Sequence, residues 1–355
     1  MSKIKARKGA PYARILGVGG YRPVRVVPND VILEKIDSSD EWIRSRSGIE
    51  TRHWASDEET VAAMSIEASG KAIADAGITA SQIGAVVVST VSHFSQTPAI
   101  ATEIADKLGT NKAAAFDISA GCAGFGYGLT LAKGMVVEGS AEYVLVIGVE
   151  RLSDLTDLED RATAFLFGDG AGAVVVGPSE EPHIGPTVWG SEGDKAGTIK
   201  QTVPWDRYLP HSRLRSSGGT PTGDVSQLPL DSEGNVKFPA ITQEGQAVFR
   251  WAVFEMAKVA QQALDAAGIT SDDLDVFIPH QANERIIDSM VKTLKLPEHV
   301  TVARDVRTTG NTSAASIPLA MERLLATGEA KSGDTALVIG FGAGLVYAAT
   351  VVTLP

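Results

Sequence analysis

The sequence predicts an α/β fold made of two similar halves, and three observations carry that expectation. Residues Ala72-Ile-Ala-Asp-Ala-Gly-Ile-Thr-Ala-Ser-Gln-Ile-Gly-Ala-Val-Val-Val return as Ala263-Leu-Asp-Ala-Ala-Gly-Ile-Thr-Ser-Asp-Asp-Leu-Asp-Val-Phe-Ile-Pro, 191 positions on (263 − 72). Val144-Leu-Val-Ile-Gly returns as Ala336-Leu-Val-Ile-Gly, 192 positions on (336 − 144). Two matches at nearly one spacing indicate a duplicated unit, residues 1–180 and 181–355, rather than chance similarity of Ala-rich helices. The chain has 355 residues, of which 44% are hydrophobic, enough for a large core.

In chain order, Ile15–Gly20 reads as a first strand, ended by the turn at Tyr21-Arg-Pro. Ser38 or Ser39 ahead of Glu41 predicts an N-capped helix carrying Trp42, Arg44 and Arg46. An indole beside guanidinium groups suits a base and its phosphates, although a half-buried Trp with solvated arginines fits the same residues. Each repeat then reads as helix, glycine C-cap, short loop and buried strand.

The only cysteine, Cys122, stands in Ala113-Ala-Ala-Phe-Asp-Ile-Ser-Ala-Gly-Cys-Ala-Gly-Phe-Gly-Tyr-Gly. This is a strand that turns through small residues into a helix. A sulfur at a helix start feels the positive end of the helix dipole, which favours thiolate; a small buried hydrophobe is the other reading. The duplication carries Cys122 onto Gly310-Asn-Thr-Ser-Ala-Ala-Ser-Ile-Pro, so the Asn311 turn should begin the equivalent helix. Phe165-Leu-Phe-Gly-Asp-Gly-Ala-Gly and Gly340-Phe-Gly-Ala-Gly-Leu-Val look like corresponding hairpins. Neither glycine cluster has P-loop or Rossmann spacing. The Ser-, Gly-, Pro- and Thr-rich stretch from Pro204 to Lys237 reads as a loop.

Bulk properties exclude several classes. A net charge of −11 argues against general nucleic-acid binding, so an acidic partner needs a local basic patch. One cysteine permits no internal disulfide, and no run has the apolar length of a membrane span. The basic start lacks the apolar core of a secretory signal, so a cytoplasmic location is expected.

His280 falls at the carboxyl end of a buried strand, in Phe277-Ile-Pro-His-Gln-Ala-Asn-Glu-Arg. Open α/β sheets place functional groups there, although a lone strand-end histidine is often structural. No histidine pair has metal-ligand spacing. Cys, His and Asn together suit acyl transfer: the thiolate takes the acyl group, while imidazole and carboxamide donate to an oxygen that becomes negative.

Asp40-Glu-Trp-Ile-Arg-Ser-Arg-Ser-Gly-Ile, Ala120-Gly-Cys-Ala-Gly-Phe, Phe167-Gly-Asp-Gly-Ala-Gly-Ala, Pro279-His-Gln-Ala-Asn-Glu-Arg-Ile and the Asn311 turn, in this order and over nearly the whole chain, resemble the motifs of β-ketoacyl-acyl carrier protein synthase III, of the thiolase superfamily. The resemblance implies a thiolase-like, five-layered αβαβα fold and a homodimer. It implies that Cys122 takes an acyl group from acyl-CoA, a substrate rather than a cofactor, and no other cofactor is implied. Malonyl-acyl carrier protein then binds, His280 and Asn311 hold its thioester carbonyl, and decarboxylation leaves an enolate that attacks the acyl-Cys122 thioester. The backbone N–H groups of Cys122 and Ala343 would form the oxyanion hole. Trp42, Arg46, Arg161 and Asn283 match CoA-binding positions. Arg285, with Arg250 and Lys292, would form the carrier-protein patch, and Thr97 and Phe125 would shape the acyl pocket. The near rival is a thiolase-fold relative that passes the acyl group to a hydroxyl or amine; the retained Asn311 argues against it.

Overall fold

The computed structural model describes residues 4, 5, 7–205, 208, 230 and 236–355. Of the stretch Pro204 to Lys237, only Pro204, Trp205, Tyr208, Leu230, Val236 and Lys237 belong to the described residues.

Among the described residues, ten strands form two mixed five-stranded sheets. In chain order they are β1 (Tyr12–Tyr21), β2 (Ile83–Ser89), β3 (Ala114–Ile118), β4 (Tyr143–Arg151), β5 (Asp169–Ser179), β6 (Val188–Ser191), β7 (Val276–Pro279), β8 (Thr301–Val302), β9 (Thr335–Gly342) and β10 (Val346–Thr353). The first sheet has the order β1-β5-β4-β2-β3 and the second, read from β6, has the order β6-β10-β9-β7-β8. The two orders correspond strand for strand, and the register corresponds too. Ala85 faces Val144 in the first sheet, and their counterparts Val276 and Ala336 face each other in the second.

The flanking helices are α1 (Asp40–Ser47), α2 (Val61–Asp75), α3 (Ile100–Leu108), α4 (Gly124–Glu138), α5 (Gly245–Ala267), α6 (Glu284–Leu294) and α7 (Ser316–Thr327). Strand alternation sorts side chains into layers. Val144 and Val146 join Phe125 and Leu129 of α4, Ile317 and Met321 of α7, and Ala336 and Val338 of β9 in one inner core. Leu145, Ile147 and Val149 turn instead to α2 and α3. Leu337, Ile339 and Phe341 turn to α5 and α6. Helices, sheet, helices, sheet, helices is therefore the order of layers.

Local chemistry repeats as the sequence leads one to expect. After α2 and α5 come Gly77 (φ 66°) and Gly268 (φ 72°), in the left-handed region that suits glycine. Thr79 and Thr270 then form matching capping boxes on short turns that lead into β2 and β7. Ser39 caps α1, its hydroxyl accepting from the Trp42 N–H at 3.1 Å. The hairpin correspondence needs correction. Only β9 and β10 are joined by a tight turn, residues 343–345, whereas β4 and β5 are separated by residues 152–168, which fold over the site.

The two halves interlock at two equivalent glycines. A Cβ on Gly340 of β9 would lie 2.8 Å from the Cys122 carbonyl, and a Cβ on Gly148 of β4 would lie 2.1 Å from the Ala314 carbonyl. Each helix start thus rests on a side-chain-free point of the opposite sheet, and the two starts meet between the sheets.

Candidate active site

Cys122, His280, Asn311 and Ala343 line one cavity of about 500 Å3. Its wall also includes Ser95 and Gln96 before α3, Leu152 and Leu155, Trp205, Ala282 and Ile286 of the α6 region, and Phe341.

Cys122 sits in a single turn, Gly121–Ala123, that runs straight into α4. Gly121 has φ 48° there, and a Cβ on Gly342 would lie 2.9 Å from the Cys122 sulfur. The N-terminal location agrees with the sequence. Surrounding protein pushes the thiol up to about 12, and the carboxyl of Glu150 pushes the same way; the Ser313 hydroxyl offsets part of this. Cys122 itself is only part-buried, since it lines the cavity.

His280 is 2% exposed and is held at three points. Its N–H donates to the Ile339 carbonyl at 2.7 Å, its ring meets Phe341 edge-on at 5.4 Å, and its Nδ1 lies 2.7 Å from Ser316 Oγ. Burial drives the imidazole down to about 3, so it is neutral. The tautomer follows from proton counting. The Ser316 hydroxyl accepts the Gln281 N–H at 3.4 Å, and His280 Nδ1 is the acceptor within reach of its own proton among the described residues. The hydroxyl therefore donates to Nδ1, and Nε2 carries the ring's proton.

Asn311 is oriented by a similar device. Its Oδ1 accepts the Ser313 N–H at 2.8 Å, which leaves the NH2 as the donor end of the carboxamide. Its backbone is anchored to the residue 152–168 segment, donating to the Leu166 carbonyl at 2.8 Å and accepting from the Gly168 N–H at 3.0 Å. Two neutral donors thus line the cavity that holds the thiol. Among the described residues no backbone carbonyl accepts from the N–H of Cys122 or of Ala343, which leaves both as donors. A Cβ on Gly121 would lie 3.4 Å from the Ala343 nitrogen, so the two turns abut.

The outer residues separate into groups. Trp42 lies beneath two guanidinium groups, Arg161 at 5.0 Å and Arg46 at 5.9 Å from its ring, with Phe165 edge-on at 5.5 Å. Asn283 does not line the cavity. Its Oδ1 caps α6 by accepting the Arg285 N–H at 2.9 Å, and its amide donates to the Arg46 carbonyl at 2.9 Å, tying α1 to the cavity's edge. Arg285, Arg250 and Lys292 are exposed on α5 and α6, and none has a carboxylate partner among the described residues. Arg285 lies over Phe249 at 5.0 Å. Thr97 is exposed next to the lining residues Ser95 and Gln96 but does not line its own chain's cavity. Phe125 is a correction. It is fully buried in the inner core with Leu129 and Ile317, because its position on α4 faces the sheets. Among the described residues no His, Cys, Asp and Glu cluster is built to hold a metal ion.

A family model described as 3-oxoacyl-[acyl-carrier-protein] synthase III matches residues 116–193, and one for the C terminal of the same enzyme matches residues 264–354. Over its full length the chain is 89% identical to β-ketoacyl-[acyl-carrier-protein] synthase III 1 of Streptomyces coelicolor, covering 100% of each. The chain belongs to the β-ketoacyl-acyl carrier protein synthase III family. It is 52% identical to the mycobacterial β-ketoacyl-[acyl-carrier-protein] synthase III of Mycobacterium marinum, over 100% of this chain and 99% of that one. The crystal structure of the priming β-ketosynthase from the R1128 polyketide biosynthetic pathway superposes with a TM-score of 0.90 at 44% identity, covering 100% of this chain and 99% of that chain. The fold is the thiolase fold, and the chain is a condensing acyltransferase of the synthase III kind.

Sequence reasoning missed Ser316, which contacts the His280 ring, and Ser313, whose N–H holds the Asn311 carboxamide. The two serines stood inside a quoted motif, but their work depends on what the other half brings against them. Glu150 stands next to the end of the apolar strand β4, where a charge ordinarily meets solvent, and nothing in the sequence marks it as fully buried.

Proposed function

We propose that Cys122 accepts an acyl group from acyl-CoA as a thioester and that the enzyme then condenses it with malonyl-acyl carrier protein to give 3-ketoacyl-acyl carrier protein. The observation that carries this reading is the pair of neutral donors, His280 Nε2–H and the Asn311 NH2, lining one cavity with the only thiol. Two donors on a malonyl thioester carbonyl stabilise the enolate left by loss of carbon dioxide, and a neutral imidazole makes no ion pair with the carboxylate that must leave. The enolate carbon attacks the acyl-Cys122 carbonyl, whose oxygen is received by the N–H groups of Cys122 and Ala343. The carbon–carbon bond forms as the Cys122 carbon–sulfur bond breaks, and decarboxylation supplies the electron pair, so acyl-CoA is a substrate and no cofactor is called upon.

Trp42, Arg46 and Arg161 suit the CoA nucleotide, by stacking on the base and pairing with phosphate. In this reading Asn283 supports Arg46 rather than touching the tunnel. Arg285, Arg250 and Lys292 give an acidic carrier protein its local positive surface on a chain of net charge −11. The two halves, residues 1–180 and 181–355, share the site, and a homodimer would bring Thr97 to the partner subunit's acyl pocket. A cytoplasmic location belongs to the same reading; no helix among the described residues is long and apolar enough to cross a membrane.

The test is acylation with radiolabelled acyl-CoA followed by gel analysis. Label on the wild type and none on Cys122→Ala is expected, and equal label on both would overturn the assignment.

A further inference from the structure

With Cys122 and Ala343 in the roles proposed above, on which this inference rests, the Ala343 N–H must stand at a fixed point beside the sulfur. Its turn is held from two sides. On the inner side a Cβ on Gly121 would lie 3.4 Å from the Ala343 nitrogen, and one on Gly342 would lie 2.9 Å from the Cys122 sulfur. On the outer side Leu345 pairs with Glu192. The Glu192 N–H donates to the Leu345 carbonyl at 2.8 Å, and the Leu345 N–H donates to the Glu192 carbonyl at 3.2 Å. This pair extends the β6–β10 ladder by one rung beyond Ser191 and Val346.

Strand β6 is an edge strand, paired with β10 alone among the described residues, so no second strand fixes Glu192 from its free side. The side chain does so instead. One carboxylate oxygen, Oε2, pairs with Lys195, which belongs to the adjoining turn Gly193–Thr198 and moves with it. The other, Oε1, accepts from the indole N–H of Trp251 at 2.8 Å, a charge-assisted bond.

Trp251 is 6% exposed and lies on α5, in one apolar cluster with Phe341 and Leu345. It is the tie, among the described residues, between the Glu192 side chain and the body of the protein. Its ring meets Phe341 edge-on at 6.2 Å, and Phe341 in turn meets the His280 ring at 5.4 Å. Trp251 itself does not line the cavity, yet it stands behind two of the groups that do.

We propose that Trp251 is a positioning residue: its indole N–H, acting through Glu192 and Leu345, sets where the Ala343 N–H stands relative to the Cys122 sulfur. The bond serves the two steps in which a thioester oxygen beside that sulfur becomes negative, acyl loading and condensation. It has no part in decarboxylation, where His280 and Asn311 act on the malonyl carbonyl. A displaced donor weakens the transition state and leaves ground-state binding alone, so its loss falls on kcat and not on KM.

Trp251→Phe keeps a ring against Phe341 and deletes the donor. Loading of Cys122 by acetyl-CoA, followed by rapid quench and intact mass, should slow about tenfold at saturation, less than the 100-fold or more lost when an oxyanion donor is removed outright. The half-saturating concentration and the release of carbon dioxide from malonyl-acyl carrier protein should each stay within about twofold of wild type. Glu192→Ala should reproduce the loss, and it carries the test should Trp251→Phe not fold. Glu192→Gln keeps an acceptor for the indole and should load within about threefold of wild type. The double variant Trp251→Phe with Glu192→Ala should be no slower than either single, because both remove one bond.

Loading at the wild-type rate by Trp251→Phe or by Glu192→Ala would overturn the inference, and so would a double variant whose loss is the product of the two singles. Carbon dioxide release that falls as far as loading would also overturn it, by showing general damage to the site. Each of these results leaves the label on Cys122, whereas label on Cys122→Ala would remove the acyl-carrier reading itself.

Discussion

The Ser316 hydroxyl lies 2.7 Å from His280 Nδ1 and donates to it, so a residue of the second half's central helix decides which ring nitrogen carries the proton. Ser316→Ala removes that decision while leaving the ring in place. A neutral hydrogen bond of this kind is worth roughly 0.5–1.5 kcal/mol, and an unmet buried acceptor adds to the loss. We expect carbon dioxide release from malonyl-acyl carrier protein to fall about tenfold, with Cys122 acylation within about twofold of wild type. A fall in acylation alone would contradict the division of labour.

Asn311→Asp keeps the shape and the acceptor for the Ser313 N–H but replaces a donor with an anion where the malonyl carbonyl must sit. Loss of one such donor costs on the order of 100-fold or more. Decarboxylation should fall by at least that factor, while intact mass still shows acyl-Cys122 after incubation with acyl-CoA.

His280 contributes a definite sign to stability against pH. Its folded value is depressed to about 3 from 6.5, so below 6.5 the unfolded chain binds a proton that the folded chain refuses. The contribution is present above 6.5 and is lost as pH falls toward 3, at up to about 1.4 kcal/mol per pH unit. The gap in unfolding free energy between wild type and His280→Gln, from urea melts at pH 7.5 and 5.0, should move against the wild type at the lower pH. Glu150, raised to about 7, acts with the opposite sign in both proteins and cancels from the comparison.

Gly148→Ala and Gly340→Ala test the docking of each helix start on the opposite sheet. The added Cβ would meet backbone at 2.1 Å in the first case and 2.8 Å in the second, neither of which a side-chain rotation relieves. Each should cost about 1–3 kcal/mol in chemical unfolding, Gly148→Ala the more of the two. A change below about 0.5 kcal/mol in both would mean that the turns shift freely.

Arg285→Glu inverts one charge of the exposed α5 and α6 surface. The KM for malonyl-acyl carrier protein should rise about tenfold and become less sensitive to salt, with the KM for acyl-CoA changed far less. Equal effects on both would remove the patch.

How much of this was legible beforehand depended on whether the cause was local. The repeats announced the two sheets because capping threonines, left-handed glycines and apolar strands act through near neighbours, and Thr79 with Thr270 repeat that chemistry in register. Cys122, His280 and Asn311 stood out because each ends an apolar run in small or polar residues. What stayed hidden needed the third dimension. The helix start at Cys122 was visible, whereas the protein around it, which raises the thiol, was not. Phe125 follows Cys122 closely in sequence, yet the helical turn carries it into the core. Glu150 reads as the charged end of a strand until the second half closes over it.

The seating of Cys122 on Gly340 and of Ala314 on Gly148 makes the active site a record of completed assembly. A nascent or half-unfolded chain carries the same cysteine, but without the second sheet beneath it the sulfur has neither its Gly342 neighbour nor the donors that act on its cargo. Condensation in this enzyme therefore needs both halves in place, because neither half alone carries the thiol together with its two donors.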